Sequence, residues 1–275
     1  MTAPRRPPTR LVLLGHPVSQ SLSPVFQNAA LAHAGLAARY ETMDVPPERV
    51  RETLESLAAE GAAGNVTIPH KEQARATCSR VTPLADRVGA VNTFWPDDDG
   101  ALCGDNTDVG GFDELVLTAL DAPPSGVRVA LLGAGGSAAA VLAAVERWPG
   151  CEVAVWGRGG ERGRALAERF GRIASAAATP DAALTGARIV VNATPVGLAA
   201  DSAMPVDAAQ LPPDAVVVDL VYRRDGAPTE FVRRARERGL RAVDGLPMLI
   251  AQGALAFERW FGFAPDREVM WRSVR

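Results

Sequence analysis

Residues 127–144 read VRVALLGAGGSAAAVLAA: a short apolar run, a glycine turn and an alanine-rich segment. A strand, a glycine-rich turn and a helix in this order are typical of a dinucleotide-binding unit. Glycine permits a sharp turn and a close approach of phosphate to the backbone, because it has no Cβ atom. The helix that follows begins with unpaired N–H groups and the positive end of its dipole. The spacing of Gly133, Gly135 and Ala138 therefore predicts a pyrophosphate site, with a glycine-rich turn that binds nothing as the alternative.

Length and composition restrict the class of protein. The chain has 275 residues, 47% of them hydrophobic, which is enough for two globular domains. Its net charge of −3 and the lack of a long basic run argue against nucleic acid as a partner. The apolar run at 11–14 is too short for a signal peptide or a membrane span. We therefore expect no membrane partner.

Cysteine and histidine are sparse. The three cysteines are scattered and lack the spacing of a disulfide framework or a zinc site, which favours the reducing cytoplasm. The three histidines are not at metal-ligand spacing, so no metal is expected. These residues are Cys78, Cys103 and Cys151, and His16, His33 and His70.

Strands alternate with helices along the chain, which predicts an α/β fold with mainly parallel sheets. Ser23 before Pro24 predicts a helix with Ser23 as its N-cap, and a second helix is expected over 113–120. Residues 91–95 and 101–103 predict a hairpin. The segment DAPPSG at 121–126 marks a domain junction. The strands are expected at 11–14, 38–44, 64–67, 127–132, 151–156, 188–192 and 215–219.

The residues after the second strand of the nucleotide-binding part indicate which dinucleotide is bound. NAD-binding domains place an acidic residue there to bond the ribose 2′-hydroxyl, but this chain has Gly157 and Arg158. A guanidinium can hold a 2′-phosphate, so Arg158 and Arg162, with Arg164 as a third candidate, favour NADP. Glu161 could reach a ribose hydroxyl and keeps NAD as a weaker alternative; a solvated arginine loop is the other.

Three polar clusters precede the glycine turn, at 19–24, 65–71 and 104–108. Each follows a predicted strand or begins a helix, which is the edge where open α/β sheets bind ligands. Hydroxyl, amide and lysine side chains suit a small polyhydroxylated or carboxylate substrate. A lysine and an aspartate that converge in a cleft would form an acid–base pair.

The motifs SLSP (21–24), NVTIPHK (65–71), AVNT (90–93), DNTD (105–108), GAGG (133–136), NATPVG (192–197) and MLIAQGA (248–254) occur in this order. Together they resemble the shikimate dehydrogenase family from about residue 11 to 262. The resemblance implies reversible reduction of 3-dehydroshikimate to shikimate with NADPH, in aromatic amino acid and chorismate biosynthesis.

The resemblance also implies the domain organisation. Residues 1–109 and 246–275 would form an N-terminal α/β substrate-binding catalytic domain, to which the C-terminal helices return. Residues 110–245 would form a doubly wound Rossmann domain that binds NADP. We expect a cytoplasmic monomer or homodimer with a small-molecule substrate.

Site residues follow from the resemblance by motif. Lys71 and Asp108 would be the catalytic pair. The substrate carboxylate would be bound by Ser21 and Ser23, and its hydroxyls by Asn65, Thr67, Asn92 and Gln252, with a further contact from Tyr222. The cofactor would be held by Gly133, Ala134, Gly135, Gly136, Ser137, Arg158, Arg162, Asn192, Ala193, Thr194, Leu220 and Gly245.

Three departures from the family pattern stand out. Gly157-Arg158-Gly159 replaces the usual N-R-T, Gln20 replaces a frequent histidine, and the segment after Tyr222 is altered. His70, beside Lys71, is a less favoured general acid. Alternatives to shikimate dehydrogenase are a quinate or aminoshikimate dehydrogenase of the same fold, or a non-catalytic NADP-sensing regulator.

Overall fold

The computed structural model describes residues 7–120, 122–198 and 204–275. It divides into two compact units. The first comprises the chain up to Gly111 together with Leu249–Arg275, and the second is Phe112–Met248. The family resemblance placed these boundaries after residues 109 and 245, whereas residues 122–126, expected to mark the junction, lie inside the second unit. No described helix is both long and apolar enough to cross a membrane.

The first unit contains a six-stranded mixed sheet in the order β2-β1-β3-β5-β6-β4. Its strands are β1 Arg10–Gly15, β2 Arg39–Asp44, β3 Ala63–Val66, β4 Arg80–Val81, β5 Thr93–Pro96 and β6 Leu102–Asp105. Strand β1 is parallel to β2 and β3, whereas β5 is antiparallel to β3 and β6. The short connection between β5 and β6 permits only a hairpin, since a parallel crossover needs a dozen or more residues. The predicted hairpin is thus confirmed, and it makes this sheet less parallel than expected.

Five helices follow or separate these strands: α1 Ser23–His33, α2 Val50–Ala59, α3 Lys71–Thr77, α4 Pro83–Val88 and α5 Asp108–Ala119. The prediction that Ser23 is the N-cap of α1 is wrong. Leu22 occupies that position, and the Oγ atom of Ser21 accepts a hydrogen bond from the Ser23 N–H at 3.1 Å. Ser23 is therefore the first helical residue, with Pro24 after it.

Helix α5 begins at Asp108, earlier than the expected start at residue 113. The sequence GG at 110–111 suggested a loop. Instead, Gly110 lies inside the helix, where a Cβ atom would come within 2.7 Å of the Leu255 side chain. This glycine makes room for a neighbouring helix, which is a long-range contact that local sequence does not show.

The second unit contains a six-stranded, all-parallel sheet in the order β12-β11-β10-β7-β8-β9. Its elements are β7 Arg128–Leu132, α6 Gly136–Val145, β8 Glu152–Trp156, α7 Glu161–Arg169, β9 Ala174–Ala176, α8 Pro180–Leu184, β10 Ile189–Asn192, β11 Val216–Asp219, α9 Glu230–Glu237 and β12 Ala242–Val243. This is the doubly wound Rossmann order, which reverses between β7 and β10. Ligands of such sheets bind at the carboxyl ends of the two strands where the order reverses.

The C-terminal helices are α10 Leu246–Phe261 and α11 Arg267–Ser273. Phe257, Trp260 and Met270 are fully buried in the same hydrophobic cluster as Leu11 and Phe26 of the first unit. The expectation that the chain returns to its first domain is confirmed.

Candidate active site

Lys71 and Asp108 meet inside the first unit. Lys71 is the first residue of α3, and Asp108 is the first residue of α5, close after β6. The Lys71 Nζ atom donates a hydrogen bond to Asp108 Oδ2 at 2.6 Å, and the two side chains are only 12% and 6% exposed. A charged pair so sheltered from water interacts more strongly than one on the surface. The structure therefore brings the two expected catalytic residues together.

Asn92 orients the other oxygen of Asp108. The backbone N–H of Thr107 donates to Asn92 Oδ1 at 2.8 Å. Because an N–H group can only donate, this bond fixes which end of the carboxamide is the oxygen. The Asn92 Nδ2 atom then donates to Asp108 Oδ1 at 2.8 Å and lies 3.4 Å from Gln252 Oε1. Both carboxylate oxygens of Asp108 thus accept hydrogen bonds from residues expected to form the site.

Asn65 joins the cluster through the strands beside Asn92. Its Nδ2 atom donates to the Asn92 carbonyl oxygen and to Thr93 Oγ1, both at 3.0 Å. Its Oδ1 atom accepts from the Tyr40 hydroxyl at 2.8 Å. All four residues are buried. Tyr40 and Thr93 were not expected from the sequence, since neither belongs to a polar cluster.

The remaining expected substrate residues of the first unit lie on three different elements. Ser21 precedes α1 and Ser23 begins it, while Thr67 directly follows β3. A Cβ atom at Gly15 would lie 2.5 Å from the Thr67 methyl group, so the glycine at the end of β1 leaves room for the Thr67 side chain. Gln252, on α10, donates to the Leu249 carbonyl at 2.7 Å. Its Oε1 atom faces Asn92, as described above.

His70 is committed to a structural contact. Its Nε2 atom lies 2.7 Å from the carbonyl oxygen of Val45, so Nε2 carries the proton. The ring is 1% exposed, and burial lowers the pKa of His70. The histidine thus anchors the residue before α3 to the end of β2, which argues against its use as a general acid.

A second ion pair supports this region. Asp105, at the end of β6, accepts from Arg259 Nη2 at 2.6 Å and from Thr82 Oγ1 at 2.5 Å. The Arg259 guanidinium also lies 5.7 Å from the ring centre of Trp95. Arg259 is on α10, so this contact fixes the helix that carries Gln252 against β5 and β6. The contact is not visible in the sequence, because 154 positions separate the two partners.

The glycine turn of the second unit has the geometry that a pyrophosphate requires. Gly133 adopts φ +126°, and a Cβ atom there would come within 2.7 Å of the Ala193 carbonyl oxygen. A Cβ atom at Gly135 would meet no described atom within 4 Å, so the space before α6 is open. Helix α6 begins at Gly136, which leaves its first N–H groups and dipole directed at that space. The expected residues Gly133 to Ser137 therefore form a turn that fits a dinucleotide.

The loop between β8 and α7 carries the expected 2′-phosphate residues. Gly157 packs close to the glycine turn, since a Cβ atom added there would lie 3.1 Å from the Cβ atom of Ala134. Gly159 and Gly160 both have positive φ, of +80° and +72°. Arg158 and Arg162 are exposed, one in this turn and the other in the first turn of α7. Their position beside the glycine turn suits a phosphate on the adenosine ribose.

Asp219 connects the other loops expected to hold the cofactor. It ends β11, is fully buried, and accepts from Asn192 Nδ2 at 2.8 Å, the Val221 N–H at 3.1 Å and Thr229 Oγ1 at 2.6 Å. Asn192 Oδ1 in turn accepts from the N–H and hydroxyl of Thr194 at 3.0 and 2.7 Å. Burial raises the pKa of Asp219 to about 6. Asp219 and Thr229 were not among the site residues expected from the sequence.

Gly245 closes the same edge of the sheet. A Cβ atom there would lie 2.2 Å from the Leu220 carbonyl oxygen, and the Gly245 N–H donates to Val221 at 2.9 Å. Only glycine allows this approach. Leu220 and Gly245, both expected to line the nucleotide, are therefore adjacent.

Tyr222 lies in the second unit, three residues after β11, whereas the other expected substrate residues lie in the first. The altered segment after it forms a tight turn: Asp225 accepts from Arg223 Nε at 3.0 Å and from the Ala227 N–H at 3.1 Å. The segment ends at Thr229, the N-cap of α9, whose hydroxyl donates to Asp219 at the end of β11. In the described residues, no group of three or more acidic, histidine or cysteine side chains could hold a metal ion.

Known proteins resemble this chain along nearly its full length. Residues 13–94 match the shikimate dehydrogenase substrate binding domain, and residues 245–275 match the shikimate 5′-dehydrogenase C-terminal domain. Over 266 residues the chain is 45% identical to the shikimate dehydrogenase (NADP(+)) of Thermus thermophilus, with 97% of each chain covered. The chain belongs to the shikimate dehydrogenase family.

Solved structures agree with this family. The crystal structure of shikimate dehydrogenase from Aquifex aeolicus has a TM-score of 0.88 at 34% identity and covers 98% of both chains. The Thermus thermophilus shikimate 5-dehydrogenase in complex with NADP(H) and shikimate has a TM-score of 0.85 at 42% identity, covering 97% of this chain and 98% of that one. A quinate dehydrogenase from Corynebacterium glutamicum in complex with NAD has a TM-score of 0.85 at 28% identity, with coverages of 97% and 98%.

Proposed function

We propose that this chain is an oxidoreductase that reversibly reduces 3-dehydroshikimate to shikimate with NADPH, in aromatic amino acid and chorismate biosynthesis. The buried Lys71–Asp108 pair carries the proposal. It lies among hydroxyl and amide side chains that suit a polyhydroxylated ring. The relatives at 45% and 42% identity named above support both the substrate and the cofactor. A regulator that only senses NADP would not need such an acid–base pair.

The proton transfer is the task of the pair. During reduction, the Lys71 ammonium group donates a hydrogen bond, and then a proton, to the ketone oxygen as it gains negative charge. Asp108 holds Lys71 in place and balances its charge through the 2.6 Å contact. In the reverse direction the pair removes the proton of the alcohol. The two side chains are in direct contact, so we assign the proton transfer to the pair rather than to one member.

The residues around the pair would position the substrate. Ser21 and Ser23, beside the start of α1, would bind its carboxylate. Asn65, Thr67, Asn92 and Gln252 would bond its ring hydroxyls, and Tyr222 would also contact the substrate.

The second unit would hold NADP. Gly133 to Ser137 and the start of α6 would bind the pyrophosphate, and Arg158 and Arg162 the 2′-phosphate. Asn192 to Thr194, Leu220 and Gly245 would line the nucleotide and nicotinamide. When bound, the nicotinamide supplies or accepts the hydride. With side-chain hydrogen bonders replaced by Gly157 and Gly159, NAD stays a weaker alternative.

The units and the compartment can be assigned on the same basis. The first unit would bind substrate and the second the dinucleotide, close to the expected 1–109 with 246–275 and 110–245. A cytoplasmic location is supported by three unpaired, buried cysteines. Burial raises the pKa of the Cys78 thiol to about 12 and that of Cys103 to about 11, so both are unreactive thiols.

The deciding experiment measures initial rates with shikimate and quinate, each with NADP and NAD. We expect kcat/KM to be highest for shikimate with NADP, and lower for shikimate with NAD. A higher kcat/KM for quinate with NAD would assign the chain to quinate oxidation instead. Dinucleotide binding without turnover of either substrate would favour the regulator.

A further inference from the structure

The orientation of the Asn65 carboxamide is fixed by its surroundings. One of its terminal atoms lies 3.0 Å from the backbone carbonyl oxygen of Asn92. A carbonyl can only accept, so that atom must be the amide nitrogen. The other terminal atom is therefore Oδ1. It lies 2.8 Å from the Tyr40 hydroxyl, which must be the donor.

Both hydrogens of the Asn65 amide are consumed inside the protein. One is directed at the Asn92 carbonyl and the other at Thr93 Oγ1, also at 3.0 Å. What Asn65 can offer to a ligand is the second lone pair of Oδ1. Asn65 is thus an acceptor for an O–H group and cannot donate to a ketone.

This polarity separates the reacting oxygen of the substrate from the others. The reacting oxygen is a hydroxyl in shikimate and a ketone in 3-dehydroshikimate, and a ketone has no hydrogen to give. A ketone against Asn65 Oδ1 would place two lone pairs in contact. Only a ring hydroxyl that stays a hydroxyl in both substrate and product matches Asn65. The ammonium of Lys71, which has three hydrogens, is the matching donor for the reacting oxygen.

We propose that Tyr40 is a positioning residue that holds Asn65 as a hydrogen-bond acceptor for a non-reacting ring hydroxyl of the substrate. This rests on the proposed function, since it concerns the same substrate. Shikimate has ring hydroxyls at C3, C4 and C5, and the reaction occurs at C3. The group that Asn65 recognises is therefore the C4 or the C5 hydroxyl.

Tyr40 is built to hold one position. It lies on β2 and is 1% exposed. The Asn28 side chain bonds both backbone polar groups of Tyr40. Its Oδ1 atom accepts from the Tyr40 N–H at 2.9 Å, and its Nδ2 atom donates to the Tyr40 carbonyl at 2.8 Å. Its ring lies 6.1 Å from that of Trp260 on α10. The hydroxyl is therefore delivered to Asn65 from a rigid support.

The test is Tyr40→Phe, which keeps the ring and removes the hydroxyl. Without the Tyr40 donor, the Asn65 carboxamide is held only through its Nδ2 atom, and Oδ1 is no longer fixed in place toward the substrate hydroxyl. We expect the KM for shikimate to rise roughly fivefold to tenfold, as for the loss of one buried hydrogen bond. The kcat should change less than about twofold, because the Lys71–Asp108 pair is untouched. The KM for NADP should not change.

Two analogues identify the hydroxyl and separate positioning from general structural damage. We expect the KM ratio of Tyr40→Phe to wild type to fall to about one with either 4-deoxyshikimate or 5-deoxyshikimate, and to persist with the other. A ratio that is equal for shikimate and both analogues would overturn the proposal, as would a fall in kcat equal to that in kcat/KM. Thr77→Val, which removes a buried hydroxyl bonded to Gln73 on α3, is the matched control and should leave all three ratios unchanged.

Asn65→Ala provides a second route should Tyr40→Phe fold poorly. In this variant the deoxy analogue that lacks the recognised hydroxyl should bind as well as shikimate does, whereas the wild type should prefer shikimate. In the double variant, Tyr40→Phe should add no further rise in KM; an undiminished rise would overturn the proposal. A wild-type protein that neither binds shikimate in calorimetry nor oxidises it would instead refute the proposed function.

Discussion

Each unit contains a hydrogen-bonded asparagine–aspartate pair, but the neighbouring residues differ. In the first unit, Asn92 Nδ2 donates to Asp108 Oδ1 at 2.8 Å; in the second, Asn192 Nδ2 donates to Asp219 Oδ1, also at 2.8 Å. In both cases a backbone N–H fixes the asparagine oxygen, at 2.8 Å from Thr107 and at 3.0 Å from Thr194. Each aspartate also lies at or just after the end of a strand, where α/β sheets place their ligands.

The difference lies in what faces the second carboxylate oxygen. For Asp108 it is the Lys71 ammonium group at 2.6 Å, and for Asp219 it is the Thr229 hydroxyl at 2.6 Å. An ammonium group is a stronger acid than an alcohol and is therefore the better proton donor. The first pair is therefore suited to proton transfer. The second is suited to holding the loops that begin at Asn192 and Leu220.

Removing the lysine should have the largest effect. In Lys71→Ala we expect kcat to fall at least a hundredfold, the contribution typical of a positioned acid–base group, with only a modest rise in the KM for shikimate. Stopped-flow or steady-state rates of NADPH formation measure it. Arg75→Ala removes another cation of α3, paired with Asp86 on the surface, and should leave kcat within about twofold. Retained turnover in Lys71→Ala would remove this residue from the mechanism. The Lys71–Asp108 contact would then be structural, like the contact between Thr229 and Asp219.

Asp219→Ala tests the anchoring side of the comparison. It leaves the Asn192 amide, the Val221 N–H and the Thr229 hydroxyl without their buried acceptor. We expect the free energy of unfolding to fall by about 2–4 kcal/mol and the KM for NADP to rise about tenfold. Chemical denaturation and initial rates measure the two. Asp225→Ala, an exposed carboxylate on the same connection, should change neither. An unchanged KM for NADP would show that Asp219 does not support the cofactor loops.

The buried charge of Asp219 also predicts a pH dependence. Burial, and to a smaller extent the nearby carboxylate of Asp244, raises the pKa of Asp219 to about 6, against about 3.9 for an unfolded aspartate. Between these values the folded protein binds more protons, so its stability falls as pH rises from about 4 through 6. Asp219→Asn keeps the Oδ1 contacts and removes the charge. Relative to wild type, the free energy of unfolding of Asp219→Asn should rise by about 2–3 kcal/mol as the pH increases from 4 to 7.5.

Urea denaturation of both proteins across this range measures that gain. If the difference in unfolding free energy between wild type and Asp219→Asn stays constant across this range, Asp219 does not titrate between pH 4 and 7.5.

Local patterns made much of the fold predictable. The glycine turn between β7 and α6, the β5–β6 hairpin and the parallel sheet of the second unit all depend on residues close in sequence. The start of α5 was misplaced because Gly110 lies within the helix to make room for Leu255 on another helix, rather than to form a loop. Likewise, Ser23 was misplaced because Ser21, not Ser23, supplies the acceptor at the start of α1.

The site was predictable as a set of motifs but not as a network. Residue types and the family resemblance indicated Lys71 and Asp108. Tyr40 reaches Asn65 across 25 positions, and Arg259 reaches Asp105 across 154. A tyrosine on a strand or an arginine on a helix looks like ordinary core or surface until folding brings its partner close. Supporting residues of this kind therefore become visible only in three dimensions.

The smallest expected effect is that of Arg158→Ala, which should weaken the binding of NADP and leave shikimate binding unchanged. Arg158 lies in the second unit, in the turn after β8, and would contact the 2′-phosphate that NADP has and NAD lacks. In Arg158→Ala we expect the KM for NADP to rise about tenfold, with the KM for NAD and for shikimate unchanged, since one charge-assisted contact is lost. Arg172→Ala removes an exposed guanidinium of the same unit, paired with Glu146, and should alter none of the three. Equal effects on NADP and NAD would refute the 2′-phosphate assignment, whereas an effect on shikimate would show that the two units do not recognise their ligands independently.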